Sequence, residues 1–166
     1  MSIILPVMII SFFLESICSN FISINNSLFI PLFSIISLVI IYPYFNNDDF
    51  KFLQFCGLLG LFYDLIFTNT FIFNMVIFIS IGIIIKLVNF FISNNALNII
   101  LISSITIIAY RIITYFVLCI IGYLNFNIQI VYKSIYSSLL LNIIYAFLIY
   151  LITDYFSRKY KIQKID

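Results

Sequence analysis

Long apolar runs separated by short polar breaks make up most of the chain. Each run predicts a helix that crosses a bilayer, because about 20 helical residues span a hydrocarbon core of about 30 Å. The six runs cover approximately residues 3–22, 28–45, 52–67, 71–91, 97–121 and 134–155. Since the breaks are too short for a soluble domain, we expect one polytopic membrane domain over residues 1–166, with a basic tail over 157–166.

The third run is short for a membrane span. Its 16 residues would extend over about 24 Å as a helix, and they include Gly57, Gly60 and Asp64. The run forms either a short helix in a locally thinned bilayer or a broken element buried within the bundle. We therefore expect an all-α bundle of six membrane helices, with five helices plus a re-entrant element as the alternative.

The composition excludes a soluble protein and disfavours a hydrolytic or metal-dependent enzyme. Hydrophobic residues make up 64% of the chain and charged residues 8%, against about 45–50% and about 25% in soluble domains. The chain contains no histidine, the commonest metal ligand and a frequent general base. The sequence also lacks nucleotide-binding, phosphate-binding and hydrolase motifs. We expect a protein that is not an enzyme, has no cofactor or metal, and binds no nucleic acid.

Basic residues predict how the chain is oriented in the membrane. With six spans, both termini and every second loop share one side of the bilayer. That side receives Lys51, Lys86, Arg158, Lys159, Lys161 and Lys164, whereas the other side receives Lys133. Because cytoplasmic loops carry the excess of Lys and Arg, both termini are predicted to be cytoplasmic.

The ionisable residues Glu15, Asp64 and Arg111 fall within the apolar runs. A charge at the bilayer centre costs about 2.5–3.5 kcal/mol, so such groups face the bundle interior and find partners. At helical spacing, each of these residues shares one helix face with other polar or small residues, and the last run contains a similar set. The result is four polar stripes. The stripes are Ser11, Glu15, Cys18 and Ser19; Gly57, Gly60 and Asp64; Ser104, Arg111 and Tyr115; and Ser138, Asn142 and Tyr145. Four such stripes predict one internal polar seam.

Arg111 needs a partner at membrane depth. We favour an ion pair with Asp64 or Glu15 that orients the helices, over a ligand or ion site. Asp64 is preferred because the glycines on its stripe mark a face that other helices approach closely. Asn142 is predicted to form a hydrogen bond between helices.

Three segments carry a resemblance to a known family. Residues 57–74, GLLGLFYDLIFTNTFIFN, resemble the signature of the rod shape-determining protein MreD family, in which a glycine-containing apolar run ends in Asp and a short turn leads to the next span. Residues 134–148, SIYSSLLLNIIYAFL, are similar to the family's last span, and residues 12–16, FFLES, to its first. Family members usually have a Leu-Gly pair in the turn after Asp64, where this chain has no glycine between Thr70 and Phe73.

The resemblance implies a non-enzymatic subunit of the bacterial cell-elongation machinery in the cell membrane. It implies a bitopic partner of the MreC type, which connects such proteins to MreB-like filaments and to peptidoglycan synthases. It also implies a fold similar to the substrate-binding subunits of energy-coupling-factor transporters. The alternative function is therefore a small substrate-binding subunit for vitamin uptake.

Overall fold

The computed structural model describes residues 3–21, 30–45, 48–68, 70–92 and 95–162. In this part of the chain the protein is all-α, which confirms the predicted helical bundle. The polar break after the first run and the last residues of the tail, including Lys164, lie outside the described residues. The helices are α1 (Ile4–Phe21), α2 (Phe33–Ile41), α3 (Asp49–Phe67), α4 (Phe73–Phe91), α5 (Ala96–Ile120) and α6 (Ile128–Lys159).

Four helices in the described ranges, α3 to α6, are long and apolar enough to cross a membrane. The shorter helices α1 and α2 are also apolar. The last helix, α6, contains 32 residues and is therefore about 48 Å long, which exceeds the thickness of a bilayer core. It begins at Ile128 rather than near Ser134, so the polar residues before the apolar run belong to the helix.

The short element of the bundle is α2 and not α3. The third run forms a regular helix of 19 residues, so the prediction that it is the short or broken element is wrong. By contrast, α2 contains nine residues, all of them buried, and continues into a 3₁₀ turn, Tyr42–Phe45. Pro31 lies before α2, and Pro43 lies in the 3₁₀ turn. Proline lacks the backbone donor that a helix interior requires, so it limits the regular helix at each end.

The buried helix α2 lies at the centre of the bundle. It packs against α1, α5 and α6, while α3 packs mainly against α4. The fully buried side chains include Ile36, Leu38, Phe52 and Phe78. Large apolar side chains such as Phe13 and Leu65 are exposed on the outside, where the surrounding solvent of a membrane protein is lipid.

The two described ends of the chain lie together. Ile3, just before α1, and Ile162, just after α6, line one groove. At the start of α3, Asp49 forms an ion pair with Lys86 of α4, with 2.7 Å between carboxylate oxygen and ammonium nitrogen.

Candidate functional site

Asn142 of α6 holds the chain segment that leads into α2. Its Oδ1 accepts a hydrogen bond from the backbone N–H of Leu32 at 2.7 Å. Its Nδ2 donates to the carbonyl oxygen of Ile30 at 2.8 Å and to that of Ser138 at 2.6 Å. An amide side chain both donates and accepts, so it can satisfy extended backbone that Pro31 keeps out of a helix. Asn142 thus links α6 to the non-helical segment before α2, rather than directly to a second helix.

Glu15 of α1 lies at the N-terminus of α2. Its Oε2 accepts from the backbone N–H of Ser34 at 2.7 Å, and its Oε1 accepts from the Tyr63 hydroxyl at 2.9 Å. The first N–H groups of a helix have no partner within the helix, and the positive end of the helix dipole favours a carboxylate there. Glu15 therefore caps α2 from a neighbouring helix, and Tyr63 connects this cap to α3.

Arg111 of α5 lies close to the same group of residues. Its Nε donates to the Ser138 hydroxyl at 3.3 Å, and its Cζ lies 5.9 Å from the centre of the Tyr110 ring. Its Nη2 is buried and has no hydrogen-bond partner among the described residues. Glu15 is the carboxylate that interacts with it electrostatically. Within the described ranges no carboxylate oxygen lies within 4.0 Å of the guanidinium.

Asp64 belongs to a second polar network, at the turn between α3 and α4. Its Oδ1 accepts from the hydroxyls of Thr70 at 2.7 Å and Thr68 at 3.1 Å. The carboxylate also accepts from Asn74, whose backbone N–H is 3.0 Å from Oδ2 and whose Nδ2 is 2.8 Å from Oδ1. Since these donors satisfy the carboxylate, the structure does not form the Asp64–Arg111 ion pair that the sequence favoured.

The glycines on the Asp64 stripe bring α3 and α4 into backbone contact. A Cβ atom at Gly60 would lie 2.6 Å from the carbonyl oxygen of Asn74 and 2.6 Å from the Cα of Met75. A Cβ atom at Gly57 would meet only flexible side chains, those of Ile79 at 3.2 Å and Met75 at 3.7 Å. Gly60 therefore allows the approach that places the Asn74 backbone against Asp64, as small residues do at membrane helix contacts.

Comparison with known proteins identifies the family. The family model described as rod shape-determining protein MreD matches residues 1–160, nearly the whole chain. The chain belongs to the MreD family. No curated protein and no solved structure gives a significant match. The MreD match spans both polar networks, and it identifies the chain as a membrane protein of bacterial cell-shape determination.

The turn before α4 in this MreD-family chain contains no glycine between Thr70 and Phe73, and it is stabilised in another way. Ile72 directly precedes α4 and has a φ of 69°, in the left-handed region. That conformation costs an L-residue about 1–2 kcal/mol, whereas glycine adopts it readily. The hydrogen bonds from Thr70 and Asn74 to Asp64 lie on both sides of Ile72 and offset this cost.

Some stripe residues of this MreD-family chain join the predicted seam, and others lie elsewhere. Ser11 joins the seam through its hydroxyl, 2.6 Å from that of Tyr145. Tyr115 instead donates to the carbonyl oxygen of Asn125 at 3.0 Å, in the turn before α6. Ser104 bonds to its own helix, and Ser19 is exposed. A helical stripe gives the direction of a side chain but not the element that it meets.

Sequence reasoning missed five residues that complete the two networks: Ser34, Tyr63, Thr68, Thr70 and Asn74. Thr70 and Asn74 follow Asp64 within ten residues, which is a usable signal, because short polar side chains commonly bond to nearby groups around turns. Ser34 contributes a backbone N–H, so its residue type carries no signal. Tyr63 could not be distinguished from the tyrosines at span ends, which are commonly membrane-interface anchors.

Proposed function

We propose that the chain is a non-enzymatic membrane subunit of the bacterial cell-elongation machinery, where it scaffolds or regulates peptidoglycan synthesis. The observation that carries the proposal is the match of the MreD family to residues 1–160. The family assigns a role in rod-shape determination, and the specific role as a scaffold is our proposal.

The use made of the buried polar groups supports a scaffold. Glu15, Asp64 and Asn142 are each engaged by hydrogen-bond partners from other segments of the chain. A catalytic carboxylate must instead reach a substrate or a reacting proton. In this protein the same groups fix where α2 begins and how α3 meets α4. These polar groups therefore hold the helices in place.

We further propose that the chain binds a bitopic protein of the MreC type within the membrane. Through that partner it would act on MreB-like filaments and on peptidoglycan synthases without contacting them directly. The outer surface offers the apolar side chains that a partner helix can pack against, such as Leu58 and Leu61 in a groove of about 560 Å³ between α3 and α4. Packing of side chains drives association between helices in lipid.

The binding experiment is co-purification of the tagged chain with the MreC-type protein from the same genome. An unrelated bitopic protein of equal expression serves as the control. We expect the MreC-type protein to be retained after detergent extraction and the control to be lost. Equal retention or equal loss of the two proteins would contradict a specific partnership.

We propose that both termini are cytoplasmic, on the basis of the basic residues. Lys51, Lys86 and Arg158 lie near helix ends on one side of the predicted topology, and Lys133 lies on the other. A reporter fused after Asp166 should be active only in the cytoplasm. Activity of an exported reporter at that position would contradict the six-crossing arrangement.

The alternative function, substrate binding for vitamin uptake, is favoured neither by the family match nor by the geometry of the described residues. The expected likeness to energy-coupling-factor subunits stays a prediction, because no solved structure matches the chain.

A further inference from the structure

A groove of about 730 Å³ lies between α1 and α6. It is at the end of the bundle where both described chain ends lie, because Ile3 and Ile162 belong to its lining. Its walls are apolar and include Val7, Ile10, Ile149, Ile152 and Phe156. The threonine of the α6 wall, Thr153, donates to carbonyl oxygens of its own helix at 2.9 Å. The α6 wall thus offers no free hydrogen-bond donor to an occupant, and an extended hydrocarbon chain requires none.

A turn with basic residues forms one end of the groove, which we call its mouth. After α6 the chain reverses at Lys161, whose φ is 50°. The Ile162 N–H donates to the Ser157 carbonyl oxygen at 3.0 Å, and the Ser157 hydroxyl donates to the Ile162 carbonyl oxygen at 3.0 Å. This turn brings Ile162 onto the groove lining. Lys161 lies in the chain between Tyr160 and Ile162, which both line the groove, and Lys159 directly precedes Tyr160.

The charges at this mouth do not cancel. Arg158 forms an ion pair with Asp154 at 2.9 Å, which leaves Lys159 and Lys161 without a carboxylate within 4.0 Å in the described chain. Lys159 lies over the ring of Tyr160, with Nζ 5.9 Å from the ring centre. Two exposed ammonium groups and a tyrosine therefore border an apolar groove.

We propose that this groove binds an anionic phospholipid, with an acyl chain between α1 and α6 and the phosphate at Lys159 and Lys161. Basic side chains next to a membrane surface attract anionic headgroups, each contributing about 1 kcal/mol. A partner's transmembrane helix fits less well, because it would have to continue past the turn at Ile162. In the orientation proposed above, the lipid belongs to the cytoplasmic leaflet.

The first test compares lipids that share the same acyl chains. Native mass spectrometry of the full-length chain in detergent should show more binding of phosphatidylglycerol than of phosphatidylcholine. The double variant K159Q/K161Q should lower that preference by about fivefold for each cation removed. The matched control K51Q/K86Q removes two positive charges that already pair with Asp48 and Asp49, and it should keep the preference. An unchanged preference in K159Q/K161Q would overturn the proposal.

The second test fills the groove without changing charge. Ile10 and Ile9 are similarly exposed, at 49% and 53%, but Ile10 lines this groove and Ile9 lines another surface. Ile10→Trp should lose phosphatidylglycerol binding, and Ile9→Trp should keep it. If Ile10→Trp keeps lipid binding but loses the MreC-type partner in co-purification, the groove is a protein interface and the lipid proposal is wrong.

Discussion

Gly60 provides the most direct test of the contact between α3 and α4, through the substitution Gly60→Ala. The added Cβ would lie 2.6 Å from two backbone atoms of α4, at Asn74 and Met75. Ordinary contact begins at 3.4 Å, so the two helices must separate by about 0.8 Å. Backbone cannot rotate away as a side chain can. The same displacement would lengthen the hydrogen bond between the Asn74 N–H and Asp64, which is 3.0 Å long.

The expected loss of stability follows from three contributions to the free energy of unfolding, two destabilising and one stabilising. Overpacking a well-packed site costs about 1–3 kcal/mol, and loss of a buried hydrogen bond adds about 1 kcal/mol. Alanine in a helix interior recovers about 0.5–1 kcal/mol relative to glycine. The net loss of stability for Gly60→Ala is therefore about 1–3 kcal/mol. Gly57→Ala meets only the flexible side chains of Ile79 and Met75, so its net effect on stability should be near zero or stabilising.

The assay is thermal unfolding of both purified variants in the same detergent, followed by the loss of monodisperse protein on size exclusion. Gly60→Ala should have a clearly lower melting temperature than the parent chain, while Gly57→Ala should match or exceed it. Equal melting temperatures for the two variants would show that α3 and α4 are not in backbone contact at Gly60, and would refute the reasoning.

Three further substitutions test the turn and the buried seam. Ile72→Gly should raise the stability by up to about 1 kcal/mol, because glycine removes the left-handed strain but adds freedom to the unfolded chain; a lower melting temperature would contradict the φ of 69°. Asn142→Leu should destabilise the protein by about 1–3 kcal/mol for each buried backbone group left without a partner, and unchanged thermal stability would show that the segment before α2 finds other partners. Arg111→Ala should lower the amount of folded protein. Adding Glu15→Gln should cause less loss than the sum of the two single changes, whereas Asp64→Asn should be additive. If Asp64→Asn instead raised the amount of folded Arg111→Ala protein in the same expression assay, the result would support an Asp64–Arg111 ion pair and contradict the structure.

The helices could be predicted from the sequence because hydropathy is a local property. A run such as residues 97–121 is apolar whatever surrounds it, and it forms α5 with almost the same bounds. The length of α2 was harder to predict. Pro31 and Pro43 were both visible, but a proline near a helix start is normally tolerated. What sets the start of α2 is that Asn142 and Glu15 satisfy the backbone near Pro31, and both lie far from it in the sequence.

The polar networks show where prediction from one sequence stops. Residue type alone indicated that Glu15, Asp64 and Arg111 face the interior, because each is costly in lipid. Which groups meet depends on helix rotation and on the distance between helices, and neither is encoded in a single helical stripe. Asp64 found its donors in its own turn, so the longer-range pairing with Arg111 was unnecessary. A count of nearby Thr and Asn side chains would have favoured this outcome.

The most direct measurement of the proposed role is cell shape after depletion of the chain in the bacterium that encodes it. If the chain acts in rod-shape determination, depleted cells should become round, and plasmid-borne wild-type protein should restore rods. Asp64→Asn, which weakens the turn between α3 and α4, should restore them poorly at equal expression. Cells that keep their rod shape through several generations of complete depletion would contradict the account.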